Sequence, residues 1–468
     1  MLGRFTRRGS RDPDHPNVLL LMTDQHRWDA LGCTGDWVDT PNIDRLAAEG
    51  VRFANAYSNS PVCVPARVSL ATGQYPHNTD VWHNQRHTLP PESPTWMRAI
   101  RDAGYATSVF GKTHLHPHLG DLREREHLLH AYGLDVVDEI SGPRAATRSR
   151  THMTQLWRDE GVYGAYKKDI KDRYDNKPWV VRPSPLPFEL YSDVYVGQRA
   201  VKWLNAYGED RPWFCWVSFG GPHEPWDTPE PFASRYDPAD MPPPVEQVPD
   251  DHERPRGLLD EKLEQRPELS RDEIAALRAD YAGNVALIDD QIGQVLKVVK
   301  KRHDLDNTVI AFVSDHGEMN GDHGLLYKQN FLNGAVRVPM IVRLAPDAAA
   351  ATAGRVSDAL VELMDLGPTL VDAVGGQPVE GSRARSLMPV IADPAREHRE
   401  VALSELRREA MVANRDWKLA TNPEGEVYLL YDLRADPQET RNLAGLPEYE
   451  DVQRDLTAHL QTVVEATR

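Results

Sequence analysis

Four stretches of the chain end in residues able to hold a cation, carry an anion or move a proton. "NVLLLMT" (17–23) runs into Asp24-Gln25, "ATSVFG" (106–111) into Lys112-Thr113-His114, "PWFCWVSFGG" (212–221) into Pro222-His223, and "NTVIAFVSD" (307–315) closes on Asp315 before His316. Asp24, Gln25, Asp315 and His316 offer carboxylate and amide oxygens and an imidazole. That donor set suits a hard or borderline divalent cation. Either aspartate alone reads equally well as the cap of a turn. Two acid-containing pairs, each directly after an apolar run, favour the metal.

A further segment, "SNSPVCVPARVSLATGQYPHN" (58–78), sets Cys63 just before Pro65 and Arg67. Pro65 suits a first helical turn and Gly73 an end, so "ARVSLAT" reads as a short helix with Cys63 at its N-terminus. Free backbone N–H groups and the positive end of the helix dipole attract an anion there and favour a charged nucleophile. Arg67 stands one turn on. Two other readings are a small buried cysteine and a Cys-His hydrolase, the latter leaving the carboxylates and the Pro-x-Arg unexplained.

The elements that must position these residues are legible as well. Each apolar run is continuous rather than alternating, as in strands covered on both faces. "TPNIDRLAAEG", with Pro41 and Gly50, and "PTWMRAIRDAGY", with Pro94 and Gly104, carry helix start and stop chemistry. "RDEIAALRADYAGNVALIDDQIGQVLKVVKK" (271–301) predicts a sheet-covering helix that feeds the strand at 307. Strands alternating with helices predict a mostly parallel α/β sheet, whose ligands bind outside the carboxyl ends of the strands. The polar stretches therefore converge. Residues 120–186 and 224–268, rich in Arg, Asp, Pro and Glu without clear period, read as long surface excursions. "EAMVANRDWKLATNPEGEVYLLYDL" predicts short strands joined by turns. The expected division is a catalytic domain over 1–380 and a small α+β domain over 381–468.

With 54 Lys and Arg against 71 Asp and Glu, the formal charge is −17, which argues against a nucleic-acid or anionic-membrane partner. The three cysteines, Cys33, Cys63 and Cys215, form neither a disulfide framework nor a paired-cysteine metal site, which favours a reducing compartment. Arg7-Arg8 is followed only by the short run "VLLLM", too short for a signal sequence or a membrane span. A cytoplasmic protein is expected. His116 and His118 follow His114 and could bind zinc, but so short a Pro-containing loop shows no fourth ligand.

"CVPAR" (63–67) resembles the C-x-P-x-R signature of the sulfatase family. The likeness continues through "NVLLLMTDQ", "TPNIDRLAAEGVRFANAYS", "ATGQYP", "GYATSVFGKTHL", "PHEPW", "SDHGEMNGDHGLLYK", "VRVPMIV" and "YDLRADPQETRNLA", along nearly the whole chain. The resemblance implies an alkaline-phosphatase-like α/β core, a mostly parallel sheet sandwiched by helices, with a smaller C-terminal antiparallel sheet domain. It implies that a separate formylglycine-generating enzyme oxidises Cys63 to formylglycine. The hydrated aldehyde has two hydroxyls, so one can attack sulfur and the other can then expel sulfate. It implies a metal site of Asp24, Gln25, modified Cys63, Asp315 and His316. By the same resemblance Asp315 is the base, Arg67 and His114 orient the nucleophile, and His114 assists collapse of the sulfated intermediate. Lys112, His223 and Lys328 match sulfate-contacting positions, with His223 or Lys328 protonating the leaving oxygen. Asn84, Trp82 and Trp226 are expected to touch the organic part of the substrate.

Gln25 and His316 stand where many sulfatases carry Asp and Asn. The site then holds less negative charge and one nitrogen ligand, so the expected cation is calcium or manganese. The same pair resembles choline sulfatases and the phosphonate monoester and phosphodiester hydrolases, although "GKTHL" keeps a Lys and a His that the phosphonate hydrolases tend to lack. The expected function is hydrolysis of a small-molecule or saccharide sulfate monoester. Phosphonate or phosphodiester hydrolysis is the alternative. A non-catalytic protein that captures a sulfated ligand is a third reading, opposed by the completeness of the polar set. No interface is readable, so homo-oligomerisation stays open.

Overall fold

A computed structural model describes residues 15–345 and 352–467; Arg7 and Arg8 lie outside them. The strands used below are β1 (Asn17–Thr23), β2 (Val51–Tyr57), β3 (Ala106–Gly111), β4 (Val136–Glu139), β5 (Trp213–Ser218), β6 (Thr308–Ser314), β7 (Met340–Arg343) and β8 (Arg355–Glu362). They form one sheet in the order β8-β2-β7-β6-β1-β5-β3-β4. A second sheet of β9 (Ala402–Leu406), β10 (Glu409–Ala413), β11 (Trp417–Thr421) and β12 (Val427–Asp432) is antiparallel throughout. The large sheet is mixed: β7 runs against both β2 and β6, and the other pairs are parallel. A parallel neighbour needs a crossover that carries the chain back to the starting edge. After β6 the chain instead stays at the site edge through 315–339 and re-enters directly.

The helices are α1 (Pro41–Glu49), α2 (Cys63–Thr72), α3 (Trp96–Asp102), α4 (His152–Asp159), α5 (Tyr163–Asn176), α6 (Ser192–Ala206), α7 (Arg271–Lys301), α8 (Leu366–Ala373) and α9 (Glu450–Thr467). Alternation along β1 assigns them to two layers, because successive side chains point to opposite faces. Val18, Leu20 and Met22 join the core formed with α2, α3 and α8. Leu19 and Leu21 join the one formed with α1 and α4 to α7. Both faces are covered, which is why the run reads as continuous leucine rather than as an alternating strand. The helix read from Pro94 starts later: Thr95 is its N-cap, its hydroxyl accepting the Arg98 N–H, and Pro94 lies outside.

Residues 120–186 are not surface excursions. They fold into α4, α5 and shorter helical turns, and Met153, Trp157, Tyr166, Ile170 and Leu186 belong to the same core as β1. The small sheet is covered on one face by Leu456 and Leu460 of α9. Its other face meets Tyr57, Val62, Phe331 and Leu332 of the large unit, next to Cys63 and Lys328 in sequence. Among the described residues no helix is long and apolar enough to cross a membrane.

Candidate active site

Strands β6, β1, β5 and β3 are consecutive neighbours in the sheet, so their carboxyl ends share one edge. The join between β3 and β5 is tight. Gly111 has φ +117°, and a Cβ there would meet the Ser218 carbonyl oxygen at 1.7 Å. This close approach lets the Lys112 N–H donate to the same carbonyl at 2.9 Å, which aims the Lys112 side chain across the edge. On β1 the Asp24 N–H donates to the Gly221 carbonyl at 2.9 Å. From α6, Asp193 accepts from the N–H groups of Gly220 and Gly221 at 2.7 and 3.0 Å. From α7, the Tyr281 hydroxyl donates to the Gln25 carbonyl at 2.8 Å and accepts from the Arg27 N–H. Each loop is thus tied to a rigid neighbour.

Cys63 opens α2, whose N-cap residue Val62 has no side chain able to cap it. Its Sγ lies 3.2 Å from His316 Nε2, 3.8 Å from Lys112 Nζ and 3.9 Å from Asp24 Oδ1. Burial opposes ionisation of the thiol. Lys112, His316 and Lys328, with a hydrogen bond from His114, outweigh it and hold the thiol well below its ordinary value.

Arg67 is wholly buried and joins the two acids. It donates from Nε to Asp315 Oδ2 at 2.7 Å and from Nη2 to Asp24 Oδ2 at 2.9 Å. Its Nη1 donates to the Lys112 carbonyl and the Ser218 hydroxyl at 2.6 and 3.0 Å. Lys112 Nζ reaches the same Asp24 oxygen at 2.6 Å. Burial and Cys63 raise Asp24, but Lys112, His223 and Arg67 prevail and hold it well below the carboxylate range. Asp315 moves the opposite way, raised by burial and by Asp24. Its Oδ1 still accepts from the N–H groups of Gln25 and His316 at 3.1 and 2.9 Å. Burial disfavours a charged His316, yet Asp315 and Cys63 lift it to about 9.

Asp24, Cys63, Asp315 and His316 are all buried, and each offers a ligand atom within 4.8 Å of the others. No other group of three or more His, Cys, Asp and Glu converges in this way among the described residues. Gln25, at φ 66°, donates its backbone N–H to Asp315 of this group. Its Oε1 accepts from Lys328, and its Nε2 donates to Glu224 at 2.8 Å and to Glu318. Lys328 Nζ also lies 2.8 Å from His223 Nε2. Glu224 and Glu318 escaped the sequence reading, although "PHEPW" and "SDHGEMNGDHG" contain them. A glutamate in a polar loop looks solvated until its partners are known.

The remaining expectations divide. Asn84 accepts the Val64 N–H at 2.9 Å, so it stands over the first turn of α2 and remains exposed. Trp82 is half-buried and donates to Asp80 at 2.7 Å. Trp226 does not fit a substrate contact. It is 2 % exposed, packed with Ala30, Val38, Leu277 and Tyr281, because a large apolar ring gains most by leaving water. His114 has its ring centroid 4.3 Å from that of His118. His116 and His118 do not converge as a zinc site: Glu139 holds both, at 2.8 and 3.1 Å.

The loop after His223 carries a test of these electrostatics. Asp280 on α7 accepts from the Thr228 N–H and hydroxyl at 3.2 and 3.1 Å. Burial, reinforced by Asp227, raises it from 3.8 to about 8. A carboxyl raised in the folded state stabilises the fold below its unfolded value, and that stability is lost as pH climbs through the folded value. Asp280→Asn keeps one acceptor and cannot ionise. We expect it to match the unaltered protein near pH 4 and to exceed it above pH 8 by about 1–2 kcal/mol, read by denaturant unfolding at both pH values. Equal stability at high pH refutes this account.

A large mixed α/β sheet with buried acids, a cysteine and cations gathered at one carboxyl edge defines a hydrolase of the alkaline-phosphatase-like architecture. The sulfatase family's sequence model matches residues 16–376, and the chain belongs to that family of sulfuric ester hydrolases. A second model, N-sulphoglucosamine sulphohydrolase C-terminal, matches residues 321–466. An arylsulfatase of Clostridium perfringens is 29 % identical over 93 % of this chain and 92 % of its own. A choline-sulfatase of Rhizobium meliloti is 29 % identical over 95 % and 85 %. Among solved structures, the phosphonate monoester hydrolase of Agrobacterium radiobacter aligns with a TM-score of 0.79 at 25 % identity, over 97 % of this chain and 96 % of its own.

Proposed function

We propose that the protein hydrolyses a sulfate monoester of a small alcohol, phenol or saccharide, with Cys63 oxidised to formylglycine beside one divalent cation. The observation that carries the reading is the position of Cys63. It starts a helix, within 4.8 Å of ligand atoms of Asp24, Asp315 and His316, with Lys112 beside it. The donor chemistry fits a cation: two buried carboxylates and an imidazole converge with Cys63, and Gln25, whose amide oxygen accepts from Lys328, would add that oxygen by turning it from the lysine. Calcium and manganese both accept that mixture of oxygens and nitrogen. A bound cation would lower the pKa of a coordinated hydroxyl and neutralise charge on the transferred group.

The chain's own residues have separable tasks in this reading. Asp315 takes the proton of the attacking hydroxyl, and Arg67 fixes its carboxylate. Lys112 and Lys328 bind sulfate oxygens from either side. His223, 2.8 Å from Lys328, protonates the leaving oxygen in this reading, and either member of that pair can supply the proton. His114, bonded to Cys63, removes a proton when sulfate is expelled. Asn84 pins the first turn of α2, and Trp82 lies beside it at the entrance. A separate formylglycine-generating enzyme is required. The division near residue 380 and a cytoplasmic location belong to the same proposal, the latter supported by three unpaired cysteines.

The likeness to a phosphonate monoester hydrolase favours a second reading, in which the same site cleaves phosphonate or phosphodiester bonds. We expect kcat/KM on a nitrophenyl sulfate to exceed that on phenylphosphonate or a phosphodiester, since this ratio measures discrimination in the transition state. The reverse order of these values selects the second reading.

A further inference from the structure

The reacting centre is sealed at 0 % exposure for Asp24, Arg67, Asp315 and His316. Side chains that keep some contact with solvent are His223 at 14 %, Glu224 at 12 % and Lys328 at 5 %. Substrate therefore enters past these residues and past exposed Asn84.

The hairpin turn between β9 and β10 is hydrogen-bonded to Trp82 and to Gln329, close in sequence to Asn84 and Lys328. Leu406 pairs with Glu409, so Arg407 and Arg408 are the two central turn residues. Their φ angles are 50° and 68°. A two-residue turn with both centres left-handed normally uses Asn-Gly or Gly-Gly, because side chains with a Cβ are strained there. Strain of this kind persists where the surroundings enforce it, and it concentrates at functional sites. Here the Trp82 carbonyl accepts the Arg407 N–H at 3.0 Å. The Arg407 guanidinium then donates to Gln329 Oε1 at 3.3 Å, beside Lys328 in sequence. Lys262 Nζ donates to that same oxygen at 3.2 Å. Two cations share one neutral acceptor. Arg407 pairs with Glu261 at 3.6 Å, an acid 58 % exposed and so screened by solvent, and Glu409 lies within electrostatic reach of the same guanidinium.

We propose that Arg407 and Lys262 form a cationic rim for a second anionic group, a carboxylate or a further sulfate, on the alcohol half of the ester. This rests on the sulfate-ester reading. In a chain of net charge −17, two adjacent cations, faced at ion-pair distance by one solvent-screened acid, give a local attraction that the overall field does not. Planar guanidinium suits a bidentate oxyanion, and the lysine supplies a point charge.

The test is steady-state kinetics of matured, metal-loaded protein on a nitrophenyl sulfate and on its ring-carboxylated analogues. Arg407→Ala and Lys262→Ala should each lower the ratio of charged to uncharged kcat/KM roughly fivefold to tenfold. Arg407→Lys should restore only part of the ratio, since a point charge replaces the planar fork, and high salt should shrink it. Arg407→Gly relaxes the turn, so its Tm should hold or rise while the ratio falls, which separates recognition from folding. An unchanged ratio in the alanine and glycine variants overturns the rim. Turnover of the uncharged sulfate by unaltered protein checks the sulfate-ester reading independently. Failure there removes the reading itself, whereas turnover without charge selectivity removes only the rim.

Discussion

Cys63→Ala is expected to lower sulfate release by about 10⁴-fold or more while leaving the fold intact, because a nucleophile cannot be replaced by its surroundings. The substitution removes one buried sulfur at the first turn of α2, where the side-chain cap comes from Asn84 and not from Cys63. The packing cost should stay near 1 kcal/mol. Electrostatics predict the same asymmetry. Lys112, His316 and Lys328 favour an anion at this position, and alanine leaves their charge without it. Cys63→Ser should fail as well if the aldehyde is required, since a serine hydroxyl would remain sulfated after one attack. The measurements are sulfate release, thermal unfolding and the mass of the Cys63 peptide after expression beside a formylglycine-generating enzyme. Full turnover by either variant sinks the assignment of Cys63. A peptide mass that stays at the thiol in active protein sinks the formylglycine step alone.

How much of this was legible in the sequence depends on how each residue announces itself. The central strands did so through burial on both faces, Asp24, Lys112 and Asp315 by following them directly, and His223 by following its strand after Phe219-Gly220-Gly221-Pro222. Helix α5 did not: its buried positions are Tyr166, Ile170 and Arg173, set among Lys and Asp that mask so narrow a stripe. The reversed strand β7 is only four residues long, too short for pattern to reveal direction. Trp226 misled because a tryptophan in a loop beside a candidate histidine suits stacking and packing alike. Glu318 was hidden for another reason. Its role is to accept the N–H groups of Asn320 and Tyr327 and the Gln25 amide, which are tertiary facts. That Arg407 meets Trp82 and Gln329 was unreadable, because it depends on the small sheet packing beside Phe331 and Val62.

Asp315→Asn is expected to cost about 10³-fold or more in kcat, through charge and hydrogen bonding together. At Asp315 one carboxylate oxygen accepts two backbone N–H groups, and the other accepts Arg67 Nε at 2.7 Å. An amide cannot satisfy both sides. With its oxygen toward the backbone, its NH₂ meets Arg67; flipped, its NH₂ meets the N–H groups of Gln25 and His316. A buried donor facing a donor forfeits the hydrogen bond and its desolvation, about 1–3 kcal/mol. The substitution also removes a negative charge that lifts His316 and offsets Arg67. We therefore expect lower stability and reduced retention of divalent metal, read by unfolding and elemental analysis beside turnover. Asp24→Asn should behave alike, because Arg67 and Lys112 both converge on one of its oxygens. The double variant should lose far less than the product of the single losses. Arg67 ties both acids into one unit, and residues that act as a unit are not additive. Retention of a tenth of normal kcat by Asp315→Asn, with metal content unchanged, refutes its role as base, and strictly multiplicative losses refute the coupling through Arg67.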